Sequence, residues 1–253
     1  MNSPFFVRLA RYWNNGKLLT FRKLFYLPHI LASREKSFFV ALIVVIITSG
    51  GVFWGRIFYA VTQEIPKVGG TYTEGILKEP RNINPIFAVT DADRDISHLV
   101  FSGMLAYDGN GKLHNDLADH YEISEDARSY TMVLKKNIVW HDGTPLDADD
   151  VIFTIQTVQN PAFKRPLRPN WQGVQAEKLD RYTLRFTLRL PYAPFIENLT
   201  MGIVPKHIWE KIPPEQATLN EFNLKPVGSG PFRYDSLKQQ ADGSLIWYKL
   251  TRN

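Results

Sequence analysis

The chain has 253 residues, 44% hydrophobic and 13% aromatic, enough to bury a sizeable core and unlike a disordered or low-complexity polypeptide. It contains no cysteine, which excludes disulfides, thiolate metal sites, a cysteine nucleophile and a lipid-modified N-terminal cysteine. The net charge of +5 is unevenly placed: the first sixty residues hold eight Lys and Arg against one acid, leaving 22 basic and 24 acidic residues beyond them, so no basic stripe remains to bind nucleic acid.

Residues 1–37 form a basic leader. Its segments "FFVRLARYW" and "LLTFRKLFYL" fit short helices lying on an anionic leaflet and a disordered topogenic tail equally well, and Asn14, Asn15 and Gly16 break any single long helix. The run "SFFVALIVVIITSGGVFWG", Ser37 to Gly55, is uncharged and close to the roughly 20 residues that cross a bilayer as a helix. Trp54, Phe58 and Tyr59 suit an interfacial aromatic belt, and Arg56 can snorkel to headgroups. Seven basic residues and one acid precede Ser37, so the positive-inside rule predicts a cytoplasmic N-terminus and an extracytoplasmic C-terminal domain, with residues 38–60 as a transmembrane signal anchor. Cleavage after a signal sequence is the competing reading, with Ser49 and Gly51 as the small residues, and the long leader favours the anchor. A buried helix of a soluble domain fits less well, because no polar face interrupts Phe38 to Ile47.

A Pro- and Gly-containing stretch, "QEIPKVGG", places a tether over 61–68, and the folded domain follows from 69 to 253. "GTYTEGILKEPRNINPIF" predicts a strand entering a Pro-punctuated loop; Ile96, Leu99, Val100 and Met104 are spaced for one helical face, and "YDGNGK" is a turn. "SYTMVLKK", "YTLRFTLRL" and "SLIWYKL" alternate as half-buried strands, with Tyr182, Leu184, Phe186 and Leu188 on one face of the second. Strands and helices mix without strict βαβ order, so the class is α+β, a mixed α/β fold with several antiparallel strands. No internal repeat is present.

The densest cluster of polar chemistry lies in "NIVWHDGTPLDADDVIFTI", which packs His141, Asp142, Asp147, Asp149 and Asp150 into ten positions. Asp142-Gly143 is a turn dipeptide after a strand ending near Trp140, and Asp147 and Asp150 have capping-box spacing at the start of a helix. Val151, Ile152, Ile155 and Val158 give that helix an apolar face, and Asn160-Pro161 stops it. A turn and a cap account for the same residues that a His-Asp chemical site would need, so architecture is the favoured reading.

"VWHDGTPLDADDVIFTI" also resembles the hallmark segment of the family 5 extracytoplasmic solute-binding proteins, the peptide- and nickel-binding subunits of ABC importers. "GGTYTEGILKEPRNINPIF", "LVFSGMLAYDGNGKLHNDLADHYEISEDARSYTMVLKKNIVW", "KLDRYTLRFTLRLPYAPF", "IVPKHIWEKI" and "PVGSGPFRYDS" resemble the family's other segments in order, from Gly69 to Asn253. The resemblance implies a periplasmic-binding-protein-like lobe, the first of two that close over a solute, with extended peptides held largely by main-chain hydrogen bonds. It also implies that ligand is approached by Glu79, Pro80 and Asn84 and by the segment from Phe163 to Trp171. Two departures stand out: an anchor in place of a cleaved signal or lipidated cysteine, and "YKLTRN" where relatives continue into a second lobe, so that 69–253 is read as the N-terminal part of a longer domain. A single lobe is expected to bind peptide more weakly than a complete pair.

"VGSGPF", Val227 to Phe232, is not followed by Lys-Ser/Thr, and Pro231 interrupts the expected helix start, so it reads as a structural turn matching the family's Gly-x-Gly-Pro motif. His98, His114, His120, His141 and His207 contain no two-His helix motif, no nucleophile–base pair is apparent, and neither a cofactor nor a metal is expected. The leading expectation is a membrane-anchored, non-enzymatic binding subunit that hands peptides or another small solute to ABC permease subunits. A surface interaction or sensor module that keeps the fold without import is the alternative, and an enzyme ranks third.

Overall fold

The computed structural model describes residues 33–62, 69–163 and 167–253. The leader up to residue 32, residues 63–68 of the expected tether, and residues 164–166 of the expected ligand segment lie outside the described residues. The chain forms two compact units, one up to Tyr72 and one from Thr73 to Asn253.

In the first unit, helix α1 runs Ser33–Val61 and includes the whole of 38–60. Its 29 residues give a length of about 43 Å, more than the roughly 30 Å of a bilayer's hydrocarbon core. Val40, Ile46, Ile47, Phe53 and Trp54 are exposed along it. The hydroxyl of Thr48 donates back to Val44 O at 2.9 Å, so this polar group is satisfied within the helix. Residues 35–61 are long and apolar enough to cross a membrane.

The second unit begins with α2, Asp91–Val100. Strands β1, Leu105–Tyr107, and β2, Leu113–Asn115, then pair antiparallel around the expected turn. The carboxylate of Asp108 accepts the amides of Asn110 and Lys112, both at 2.9 Å, and Gly111 takes a φ of 74° that glycine adopts without steric cost.

A four-stranded antiparallel sheet follows in the order β3-β4-β6-β5, built from Ala118–Ile123, Ser129–Leu134, Thr183–Thr187 and Gln175–Lys178. The period of two sends Tyr130, Met132 and Leu134 of β4 and Leu184 and Phe186 of β6 into the core, and Tyr130 faces Phe186 across the register. Helix α3, Ala148–Gln159, packs against β5, and its Val151, Ile155 and Val158 join the same core. Short helices α4, Arg168–Trp171, and α5, Phe195–Asn198, complete an aromatic cluster in which Phe195 meets Tyr130, Trp171 and Phe186 with ring centroids 4.9, 5.6 and 5.8 Å apart. Full burial of each such side chain is worth about 1.5–3 kcal/mol, and the edge-to-face pairs add about 0.5–1.5 each. Helix α6, Lys206–Trp209, and the hairpin of β7, Phe232–Gln239, with β8, Leu245–Arg252, end the unit. Antiparallel sheets with separate helices make this the expected α+β fold.

Three local expectations need correction. No strand forms in 69–80, where Tyr72 is 86% and Leu77 fully exposed, because among the described residues no second backbone stands in register to supply a ladder. Met104 is buried but lies beyond α2, which stops when Phe101 turns extended, and Leu99 is 42% exposed while Asp93, Ile96, Ser97 and Val100 form the buried face. The chain before Trp140 makes only a bridge, Val139 to Pro145, since β4 has already ended at Leu134.

The cap of α3 is as the spacing predicts: Asp147 is extended, its side chain accepts from the first turn, and the Asp150 carboxylate reaches back to the Asp147 amide at 3.1 Å. Asp147→Ala is expected to lower stability by about 0.5–2 kcal/mol in urea titration of the full chain, with the slope unchanged. An unchanged midpoint would show that the cap contributes nothing.

Candidate ligand-binding site

The Pro-punctuated loop from Glu79 to Val89 is held by one residue of the next helix. Thr90 caps α2 in a reciprocal box with Asp93, a residue only 2% exposed. Asp93 Oδ1 accepts the amides of Arg81 and Asn82 at 2.7 and 2.9 Å, and Oδ2 accepts that of Thr90 at 3.2 Å. Burial opposes the charge of Asp93, but hydrogen bonds from Asn82, Arg81 and Thr90 together outweigh it and hold the carboxyl below its usual range. The Thr90-x-x-Asp93 spacing was a readable cap signal; its second task, pinning a loop upstream, was not readable.

Within the loop, Asn84 is fully buried, its Oδ1 accepts the Ile86 amide at 2.9 Å, and its carbonyl accepts from Phe87 and Ala88. Pro80 is also buried, whereas Glu79 is exposed. Phe163, at the end of a 3-10 turn after α3, stacks on Phe87 with centroids 6.1 Å apart, so the loop and the start of the second expected segment do meet. Trp171 is placed differently: it is 1% exposed and belongs to the aromatic core. Gln159 fixes that end of the segment, donating to the carbonyls of Trp171 at 2.8 Å and Val174 at 2.7 Å. Beside Trp171 an open cleft of about 460 Å³ is lined by Asn170, Gln172, Arg189, Tyr192 and Glu197 among others.

The acidic cluster disperses into separate structural tasks. Asp142 accepts the Thr144 amide at 2.9 Å and faces His207 Nε2 at 2.8 Å. Asp149 pairs with Lys178 at 2.6 Å. Asp150, largely buried, accepts the Lys206 amide at 2.9 Å and the Trp140 indole at 3.4 Å besides capping, and burial pushes its carboxyl upward. His141 bonds to the Val227–Pro231 turn through both ring nitrogens. Among the described residues no three His, Asp or Glu converge as a metal site.

Residues 112–249 match the family model described as bacterial extracellular solute-binding proteins, family 5 Middle, and the chain belongs to that family. It is 31% identical over 178 residues to the oligopeptide-binding protein AppA of Bacillus subtilis, across 69% of this chain and 33% of that one. It is 29% identical to the dipeptide-binding protein of Escherichia coli, across 67% and 35%. Among solved structures, AppA from Bacillus subtilis in complex with a nonapeptide aligns with a TM-score of 0.65 at 30% identity, covering 70% of this chain and 35% of that chain. NikZ from Campylobacter jejuni in complex with Ni(L-His) aligns with a TM-score of 0.58 at 34% identity, covering 64% and 32%. The chain thus spans about a third of the length of these relatives.

Asp93→Ala leaves three amides without their acceptor and is expected to cost about 1–3 kcal/mol, with faster hydrogen exchange at Arg81 and Asn82 and little change in β4. In the unaltered chain the folded carboxyl lies below its ordinary value of 3.8, so its stabilisation is present above that pH and is lost as pH falls through the folded value. Unchanged exchange at Arg81 and Asn82 in the variant would contradict the pinning role.

Proposed function

We propose that the chain is the membrane-anchored, extracytoplasmic solute-binding component of an ABC importer, and that its solute is an oligopeptide passed to permease subunits. The observation that carries this reading is the family match over 112–249, joined by relatives whose names specify oligopeptides and dipeptides. In this reading residues 1–37 are cytoplasmic, 38–60 are the anchor, 61–68 the tether and 69–253 the binding domain. The apolar length of α1 and the seven basic residues before Ser37 support that topology.

The ligand lies along the Glu79–Asn84 loop and the segment opening at Phe163. Glu79 offers an exposed carboxylate to a peptide amine, buried Pro80 and Asn84 set the loop's shape, and Phe163 supplies an apolar wall backed by Phe87. Trp171 acts from beneath, holding the far end of the segment to the core. Extended peptide is then read mainly through its backbone, which gives tolerance of side chains. The role is capture without bond-making, and no cofactor enters it.

A nonapeptide carrying a photoreactive group should label the full chain within 79–84 and 163–171, with unlabelled peptide competing. Phe163→Ala should reduce labelling at limiting peptide about fivefold, the equivalent of ~1 kcal/mol. Labelling that is not competed, or that maps elsewhere, would overturn the site. Protease added to intact protoplasts should digest the large domain and leave a protected N-terminal stub; full protection would overturn the topology.

A further inference from the structure

The turn Val227–Pro231 contains two glycines pressed against α2. A Cβ on Gly228 would stand 1.9 Å from Val100 O, and one on Gly230 would stand 2.7 Å from the same carbonyl. The Gly230 amide donates to Val100 O at 2.8 Å. From the other side His141 holds the turn three times. Its amide donates to Gly228 O at 2.8 Å, its Nδ1 accepts the Gly228 amide at 3.2 Å, and its Nε2 donates to Gly230 O at 3.0 Å. An amide only donates and a carbonyl only accepts, so the set admits one species: neutral imidazole with its proton on Nε2.

A second proton must go to Nδ1, the atom that faces the Gly228 N–H. One hydrogen bond is then lost and two donors oppose each other, while the Nε2 bond to Gly230 O survives. The turn leads straight into β7, and the Asn253 amide at the end of β8 donates to Pro231 O at 3.0 Å, so the root of the hairpin is fastened here. We propose that His141 is a proton-sensitive latch, which when neutral holds the Val227–Pro231 turn and the root of the β7–β8 hairpin against α2, and on protonation lets them loosen.

The charged surroundings are specific. Burial of the ring disfavours the imidazolium and lowers the His141 pKa; the Gly230 carbonyl works against this, Arg233 on β7 reinforces it, and Asp142 opposes it. Asp142 itself is engaged by His207 of α6. His98 occupies the last turn of α2, and in the segment leading to the turn Lys225 is paired with Glu221 at 3.0 Å. A histidine whose folded pKa is lowered contributes stability that is complete above its ordinary 6.5 and is lost as pH falls through the folded value. Asp150, whose carboxyl burial pushes upward, is a second titratable group nearby and accepts from the indole of Trp140, the residue before His141.

The experiment is amide hydrogen exchange on the full chain in detergent at about pH 7.5 and pH 5.0, corrected for intrinsic rates, with the ring nitrogens of His141 followed by 15N NMR. Protection of the Gly228 and Gly230 amides should fall about tenfold at the lower pH while β4 and β6 keep theirs, in step with His141 titrating below 6.5. In His141→Asn, where Oδ1 stands close to the place of Nδ1 and accepts at any pH, the pH dependence should disappear; in Asp150→Asn it should persist. Constant protection in the unaltered chain, titration of His141 at or above 6.5, or loss of the pH dependence in Asp150→Asn would each overturn the latch. The ring titration needs no variant, so the idea stays testable even where His141→Asn does not fold.

Discussion

One buried carboxylate ties together segments distant in the chain. Asp150 receives the Asp147 amide from its own helix cap, the Trp140 indole from the preceding turn, and the Lys206 amide from the start of α6. Charged acceptors make hydrogen bonds worth about 1.5–3 kcal/mol, and their removal strands donors in the core at similar cost. Thr154, one turn further along α3, extends the link by accepting the Val204 amide at 3.1 Å while donating to Asp150 O at 2.7 Å. The first turn of α3 thus fixes the 140–147 turn and the 203–206 segment together. The sheet behind supplies the apolar burial, and this polar junction decides how the loops sit on it.

The same device recurs at the other helix. Asp93 begins as a capping residue and ends as the anchor of a loop lying before it in sequence. α2 is about 15 Å long by its ten residues, and both its ends are occupied: the Asp93 cap holds the Glu79–Val89 loop, and the Val100 carbonyl receives Gly230. A short, capped helix therefore joins the proposed ligand loop to the hairpin root that His141 grips. Phe87 completes the connection from the loop side, stacked on Phe163 and edge-on to Trp209 of α6 at 5.7 Å.

Much of this was legible along the chain where local physics governs. Alternation in β4 and β6 survives in their burial, since a strand's period of two leaves one face for the core. The Asp147/Asp150 box and the Asp108 turn depend on residues within four positions of each other. The segment 69–80 fails by the same logic, because a strand needs a partner that its own residues do not specify. Of the proposed site, the meeting of the Asn84 loop with Phe163 was implied only by family resemblance, and the depth of Trp171 by nothing in its neighbourhood, since an aromatic after a proline suits a rim as well as a core.

What the sequence by itself determined is a set of local elements: an apolar helix of membrane-spanning length, two strands whose alternation marks a buried face, one capped helix and a glycine turn. Each follows from periodicity or from a side chain bonding to its own near backbone. The tertiary structure alone decided the partners. His141 stands 87 positions from Gly228 and 89 from Gly230, and Asp150 stands 56 from Lys206, distances at which no pattern in the chain announces a hydrogen bond. The reason is physical: burial makes an unpaired polar group costly, but which partner a group finds depends on what the folded backbone brings within about 3 Å.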